Sequence, residues 1–310
     1  MSVRIGLGFS GFPFSGPEAL WRWVDACEAS TIDSLWLSER LVSAQPALEP
    51  FSALAAIAGR TRRLKFGVNA SVLPLRDPLI LAKECATIDY LSNGRLLTVF
   101  GVGADTAPEW QALGVRKGAR GRRANEMLAL LPGSGAEDNV SHDGEFFHYR
   151  DVTINPKPSQ SPLPLWIGGS SDAAIERTAR HGSGWIGGGA QSPAQIARVI
   201  SAIKERAAEL CRTIDADHFG AGFSYRFGSW DQPAVQRAAS ALAERLGPDV
   251  DPRSRLAIGG SEEIIELVRV FRAVGVTKFV LRPIAIDDAD LLGQIQRLAA
   301  EVIPTVHQLP

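Results

Sequence analysis

The chain has 310 residues, of which 45% are hydrophobic, and its 33 basic and 34 acidic side chains leave a net charge of −1. That apolar content can fill a sizeable core, and charges so evenly interspersed offer no basic face to nucleic acid. No apolar run reaches the length of a membrane span, and the opening MSVRIGLGFSGF lacks the long apolar core and cleavage site of a signal peptide, so a cytoplasmic protein with no membrane partner is expected.

Val3 to Phe9 predicts a first strand that runs into the flexible segment GFSGFPFSG. Pro17 then opens a helix with Leu20, Trp23, Val24 and Cys27 on one face. Ile32 to Ser38 is a second strand, and Glu49 and Pro50 start a second helix through Leu54, Ala55 and Ile57. Leu64 to Ser71 is a third strand. Asp77 caps a third helix carrying Leu81, Cys85 and Ile88, which the SNG turn at Ser92 to Gly94 ends. Arg95 to Gly101 is a fourth strand, followed by a helix around Arg122 to Leu131 and a polar stretch, PGSGAEDNVSHDGEFF, that reads as loop. Pro164 to Gly168 and Ser183 to Gly187 are the fifth and sixth strands. A long helix from about Pro193 to Leu210 leads to a seventh strand, Phe219 to Phe227. Helical segments near Ala234 to Leu246 and Glu262 to Ala273 precede the eighth strand, Val276 to Leu281, and Asp287 to Val302 closes as an amphipathic helix. Cys27, Cys85 and Cys211 are far apart and each falls on a helical pattern, which reads as buried thiols in a reducing compartment rather than a metal site.

Eight short apolar strands alternating with helices predict an α/β fold, a (β/α)8 barrel in one domain over residues 1–310. A doubly wound sheet is the alternative, but GLGFSG at Gly6 to Gly11 does not have the spacing of a dinucleotide-binding turn. Excursions from barrel regularity are expected at about Leu131 to Pro164 and Ser229 to Arg255.

In such a barrel the active site lies at the carboxyl ends of the strands. That rule selects Phe9 and Ser10, Ser38 to Arg40, Asn69 to Ser71, Gly101 to Asp105, Gly168 to Ser171, Gly187 to Gln191, Tyr225 and Arg226, and Arg282. The set is rich in glycine and poor in nucleophiles. Such a site suits a large planar cofactor that brings its own chemistry. Gly101, Gly103, Gly168, Gly169 and Gly188 would let backbone approach rings and phosphate, or each serves only its own βα turn. After the fifth strand, Gly168-Gly169-Ser170-Ser171-Asp172 leads into a helix. Free N–H groups and the helix dipole there favour a phosphate, although any capped βα turn has the same local form. Asn69-Ala70-Ser71 is either a flat support for a ring or a plain strand end. Glu39 and Arg40 are either a proton donor and an anion clamp or a solvated loop pair, and Glu109 either holds the cofactor region or caps the next helix. Phe9, Phe12 and Phe14 either wall the substrate or pack their loop. The five histidines do not gather at strand ends, and His181 beside Gly182 reads as a helix terminus.

The segments ASVLPLRDPLILAKECATIDYLSNGR (70–95), FGVGAD with Glu109, RGRRANE (120–126), PLPLWIGGSSDAAIERTARHGSGW (162–185) and IGGSEEIIELVRVFRAVGVTKFVLR (258–282) resemble the bacterial luciferase-like monooxygenase superfamily. The resemblance runs over nearly the whole chain and is greatest to members that use the deazaflavin coenzyme F420. It implies a luciferase-like (β/α)8 barrel with a flavin or deazaflavin at its carboxyl end. It places the cofactor phosphate on Gly168, Gly169, Ser170 and Ser171, and a non-proline cis peptide beneath the ring at Asn69–Ala70 or one residue later. Where F420-dependent members carry an Asp-His pair after the second strand this chain has Glu39-Arg40, and Gln191 replaces a phosphate-contacting lysine. The expected activity is F420-dependent hydride transfer at C5 or N5 of the ring, to or from a small organic substrate. Glu39 would work as acid–base and Arg40 would orient an anionic group. An FMN-dependent monooxygenase using O2 is one alternative. A non-catalytic flavin-binding barrel, suggested by the missing histidine at position 40, is the other. A homodimer through the helices near strands two and three is also implied.

Overall fold

In a computed structural model, which describes residues 2–9 and 11–309, parallel strands close into an eight-position barrel with helices outside. Four strands come first: β1 (Arg4–Gly8), β2 (Ser34–Leu37), β3 (Lys65–Val72) and β4 (Leu96–Gly101). A two-stranded antiparallel excursion follows, β5 (Val140–Asp143) with β6 (His148–Val152). The barrel resumes with β7 (Leu165–Gly168) and β8 (Gly184–Ile186). Its seventh position is shared by β9 (Phe219–Ala221) and β10 (Ser224–Phe227). A short β11 (Leu256–Gly259) then precedes β12 (Lys278–Pro283), which closes the barrel by pairing Lys278 to Leu281 with Arg4 to Leu7. Ser10, placed after the first strand by the sequence, lies outside the described residues.

The predicted (β/α)8 architecture is therefore present, and its strands are buried runs because both faces are covered. Two features go beyond the sequence reading. The seventh strand is split around Gly222, where a Cβ would collide with the Val280 carbonyl, so glycine lets the two backbones close up. β9 pairs with the first half of β12 and β10 with the second. β11 was not expected at all. Its four residues LAIG are too short to show a period, and they become a strand only because β10 offers a parallel edge.

Helices α1 (Pro17–Glu28) and α2 (Pro50–Arg60) start at proline, as expected, and α3 (Pro78–Ser92) does so too. Glu49 accepts from the Ser52 N–H at 2.7 Å to cap α2. Asp77 caps α3 from the Leu79 and Ile80 N–H groups, and Asn93 ends α3 in the left-handed region. The short α4 (Glu109–Ala112) precedes α5 (Arg120–Ala136). The stretch read as loop after Leu131 is instead the end of α5, with Pro132 inside it, followed by the β5–β6 hairpin. The organiser is Glu126, which accepts from the N–H groups of Glu145, Phe146 and Phe147 and meets His142 Nε2 at 3.0 Å. Contacts 16 to 21 residues apart leave no mark on local periodicity. The remaining helices are α6 (Asp172–His181), α7 (Pro193–Glu209), α8 (Pro233–Leu246), α9 (Ser261–Ala273), α10 (Asp288–Arg297) and the short α11 (Ile303–Val306). Cys27 and Cys85 are buried as expected. Cys211 is not: it sits exposed just past α7 with φ 54°, because the helix ends before reaching it. No helix among the described residues is long and apolar enough to cross a membrane.

Candidate active site

The carboxyl ends of the strands surround a cavity of about 620 Å³. Ser38, Glu39 and Arg40 after β2 and Asn69, Ala70 and Val72 of β3 form one side, with Gly188, Gly189, Ser224 and Arg282 opposite. α8 lies over the opening and contributes Ala238, Ala241, Leu242 and Arg245, with Arg255 and Leu256 beside it. The second predicted excursion is thus the roof of the site.

The floor carries little side chain. The Asn69–Ala70 peptide is cis, at the first of the two positions the resemblance implied. The β3–β4 register shifts here, so that Asn69 pairs with Val99 and Ser71 with Phe100 while Ala70 is left out of the ladder. Around Ala70 two glycines leave room: a Cβ on Gly101 or Gly168 would stand 3.7 or 3.8 Å from the Ala70 methyl. Gly103 differs. Its φ is +72°, and a Cβ there would press on Trp110 and Val72, so its glycine serves packing.

The turn after β7 joins this floor through Gly168 but does not itself line the cavity. Gly169 has φ +107°, and its carbonyl accepts from Trp185 Nε1 at 2.7 Å, which fixes the turn from below. Ser171 caps α6 from the Ala174 N–H, while Gly169, Ser170 and Ser171 are exposed. The first N–H groups of a helix have no carbonyl of their own helix to bond. A bare floor running into such a turn fits a flat ring on Ala70 with a phosphate at α6.

Glu39 lies at the cavity edge but is committed to the fold. Its side chain is 2% exposed. It accepts from the Ser71 hydroxyl at 3.3 Å, from the Val72 N–H, and from Arg76 Nε at 2.7 Å and Nη2. Arg76 also reaches Glu49 and Glu84 and lies over the Phe51 ring at 4.4 Å. The attraction of Glu39 and Glu49 outweighs the opposing effect of burial and holds the Arg76 guanidinium above its usual pKa. Ser71 therefore faces Glu39, behind the floor. Arg40 is exposed on the rim. Glu109 does not cap its helix; Oε1 accepts from the Val42 N–H at 3.3 Å, tying down the segment after β2, and Oε2 is buried without a partner among the described residues. Gln191 accepts from the Gly188 N–H at 2.7 Å and so stays within its own loop. Phe9 and Phe14 pack edge to face on each other and on Trp23, and Phe12 on Phe14, at 5.2 to 5.6 Å. Phe9 borders a neighbouring cavity of about 330 Å³ that shares Arg282.

The arginines opposite Glu39 were the least legible part. Arg282 is the last polar residue of β12 and was placed only as a strand end; Arg245 and Arg255 lie in the excursion and were not singled out. Among the described residues none gives the guanidinium groups of Arg40, Arg245 or Arg282 a hydrogen bond or a carboxylate. Burial, and then the charge of Arg245, holds Arg282 below its usual pKa. A basic residue within a helix and another beyond it give no local signal that they meet over a barrel mouth.

Comparison with known proteins places this geometry. The family model for luciferase-like monooxygenases matches residues 13–244. An uncharacterised protein of Mycobacterium tuberculosis (strain ATCC 25618 / H37Rv) is 31% identical over 57% of this chain, a match that spans only 60% of that relative's length. The F420-dependent glucose-6-phosphate dehydrogenase of Amycolatopsis mediterranei (strain U-32) is 26% identical over 99% of both chains. Among solved structures, the oxygenating constituent of 3,6-diketocamphane monooxygenase of Pseudomonas putida, in complex with FMN, superposes with a TM-score of 0.81 over 100% of both chains at 17% identity. The chain belongs to the luciferase-like monooxygenase family, whose members are flavin- or F420-dependent oxidoreductases and monooxygenases.

Proposed function

We propose that the protein is an F420-dependent oxidoreductase acting on a small organic substrate. The observation that carries this reading is the floor of the mouth, where Gly101 and Gly168 put no side chain beside the Ala70 methyl. Similarity at 26% identity over 99% of both chains to an F420-dependent dehydrogenase supports the deazaflavin. When bound, the deazaflavin supplies hydride transfer at C5. Asn69 and Ala70 would support the ring from below. Gly168, Gly169, Ser170 and Ser171 would hold the phosphate on the N-terminus of α6. Gly188, fixed by Gln191, would line the ring edge.

Glu39 takes a positioning role in this reading. A carboxylate that accepts from a hydroxyl, a backbone N–H and a bidentate arginine is held as an acceptor, so it locks the end of β3 and Arg76 in place. Arg40 faces the cavity and orients the substrate. α8 excludes water from above with Ala238, Ala241 and Leu242. On α3, Ile80, Tyr90 and Leu91 are 62%, 56% and 64% exposed, which supports a homodimer through that helix; light scattering at twice the monomer mass is expected.

The test has two arms, an anaerobic one with F420 and an aerobic one with FMN. F420 reduction is followed on mixing with alcohols, aldehydes and sugar phosphates, in parallel with oxygen uptake in the presence of reduced FMN. Substrate-dependent F420 reduction supports the proposal. Oxygen uptake with FMN alone would replace it with a monooxygenase, and cofactor binding without turnover in either assay with a non-catalytic flavin-binding barrel.

A further inference from the structure

Four guanidinium groups border the mouth cavity, those of Arg40, Arg245, Arg255 and Arg282, and its one carboxylate, Glu39, is already matched by Arg76. The Nε atoms of Arg282 and Arg255 are buried with no acceptor among the described residues. Chains normally satisfy such donors with a carbonyl or a carboxylate, because a buried unmet donor on a charged group is destabilising. Arg255 has part of this from the Ser254 carbonyl at 3.0 Å and hydroxyl at 2.8 Å; Arg282 has none. The place of Arg282 is nevertheless fixed. A Cβ on Gly189 would stand 2.8 Å from its Nη1, so the guanidinium lies close against the loop after β8. The charge that acts on it is that of another cation, Arg245. The four side chains come from the end of β2, from α8, from the segment before β11 and from β12, so the barrel and its roof together assemble the cluster.

Like charges gathered in a partly buried cavity, without a carboxylate between them, match an anionic ligand. Planar guanidinium forks suit the paired oxygens of a phosphate or carboxylate. Resting on the reading of this mouth as the substrate side of a deazaflavin site, we infer that the substrate carries a fixed anionic group, a phosphate or a carboxylate. Arg282 and Arg245 bind that group, and Arg40 and Arg255 complete its charge. The anion of the substrate thereby has its own site, separate from the turn at Gly168 to Ser171 that would take the phosphate of the cofactor.

Calorimetric titration of inorganic phosphate and of acetate, at constant ionic strength, into protein saturated with F420 tests this. Saturation fills the cofactor's own anion contact, so what still binds is the second site. Phosphate or acetate should bind the loaded protein; whichever binds more tightly identifies the anion. Arg282→Met and the exposed Arg245→Gln should each weaken that binding about tenfold or more, while F420 affinity changes less than about twofold in either variant. Loss of anion binding once F420 is in place would overturn the inference, because the cluster would then serve the cofactor. So would anion affinity unchanged in both variants. If F420 fails to bind, the functional reading has failed rather than the cluster. The same titration on Ser171→Asp, which closes the turn at α6 to anions, then decides: phosphate affinity lost on adding Arg282→Met supports the anion site, and unchanged affinity contradicts it.

Discussion

Two arginines that follow or end barrel strands, Arg76 and Arg282, stand in opposite circumstances. Arg76, on the β3 side, is surrounded by Glu39, Glu49 and Glu84 and covered by the Phe51 ring, and its pKa is raised. Arg282, on the β12 side, is given no acceptor, stands near Arg245, and its pKa is lowered. The residue type is the same, so its role is read from its partners. An arginine neutralised by its own chain completes the fold. One left without a partner, beside others in the same state, is available to a ligand. The same contrast separates Glu39, saturated and structural, from the acid–base role that its place after the second strand suggested.

The largest expected effect is at the satisfied pair. Glu39→Ala leaves Arg76 short of its main partner and should destabilise the protein by about 3 kcal/mol in denaturant unfolding, as breaking a buried ion pair does. Part of that loss should be recovered in the Glu39→Ala/Arg76→Met double variant. Equal stability of Glu39→Ala and wild type would remove the basis of the comparison. At the unsatisfied arginine the sign reverses. Arg282→Met should leave stability unchanged or raise it by about 1 kcal/mol, since no pair is broken and a crowded charge is removed. A fall as large as that of Glu39→Ala would show that Arg282 holds the fold after all.

Ser171→Asp sharpens the distinction at the turn after β7. Aspartate caps a helix as well as serine does, so thermal stability should hold, while the added charge should lower F420 affinity by about tenfold or more. The smallest effect is at His181, which ends α6 among Arg180 and Arg212, with burial and then those charges lowering its pKa. The folded protein resists protonating it, whereas the unfolded chain takes up the proton near pH 6.5. Stability is therefore expected to fall as pH drops below about 6.5. Melting curves from pH 8 to 5 should be flatter for His181→Gln. Here like-charge crowding is relieved by withholding a proton; at Arg282, which cannot lose one, it is relieved by an anion.

Much of this was legible in the sequence because the governing patterns are local. Strand runs, Pro17 and Pro50 at helix starts, the Asp77 cap and the Gly168 to Ser171 turn each depend on a few consecutive residues. The cis peptide position came from the family resemblance, not from local chemistry. What escaped depends on distance along the chain. Glu39 and Arg76 are 37 residues apart, and Glu126 gathers a hairpin 16 to 21 residues away. β11 exists only against β10. The cluster around Arg282 draws on four segments from position 40 to 282. No window of periodicity or motif spans such separations.

On the proposed function, the mouth of this barrel would take a deazaflavin on the floor at Ala70. Equilibrium titration of F420 fluorescence, with FMN in parallel, against the wild type and Gly101→Val tests it most directly. A Cβ at position 101 meets only the Ala70 methyl at 3.7 Å, so the valine variant should fold normally while filling the floor. The expected result is saturable one-to-one quenching by F420 with the wild type, lost or weakened about tenfold in Gly101→Val. F420 affinity unaffected by the valine, or no saturable binding of either cofactor to the wild type, would contradict the account.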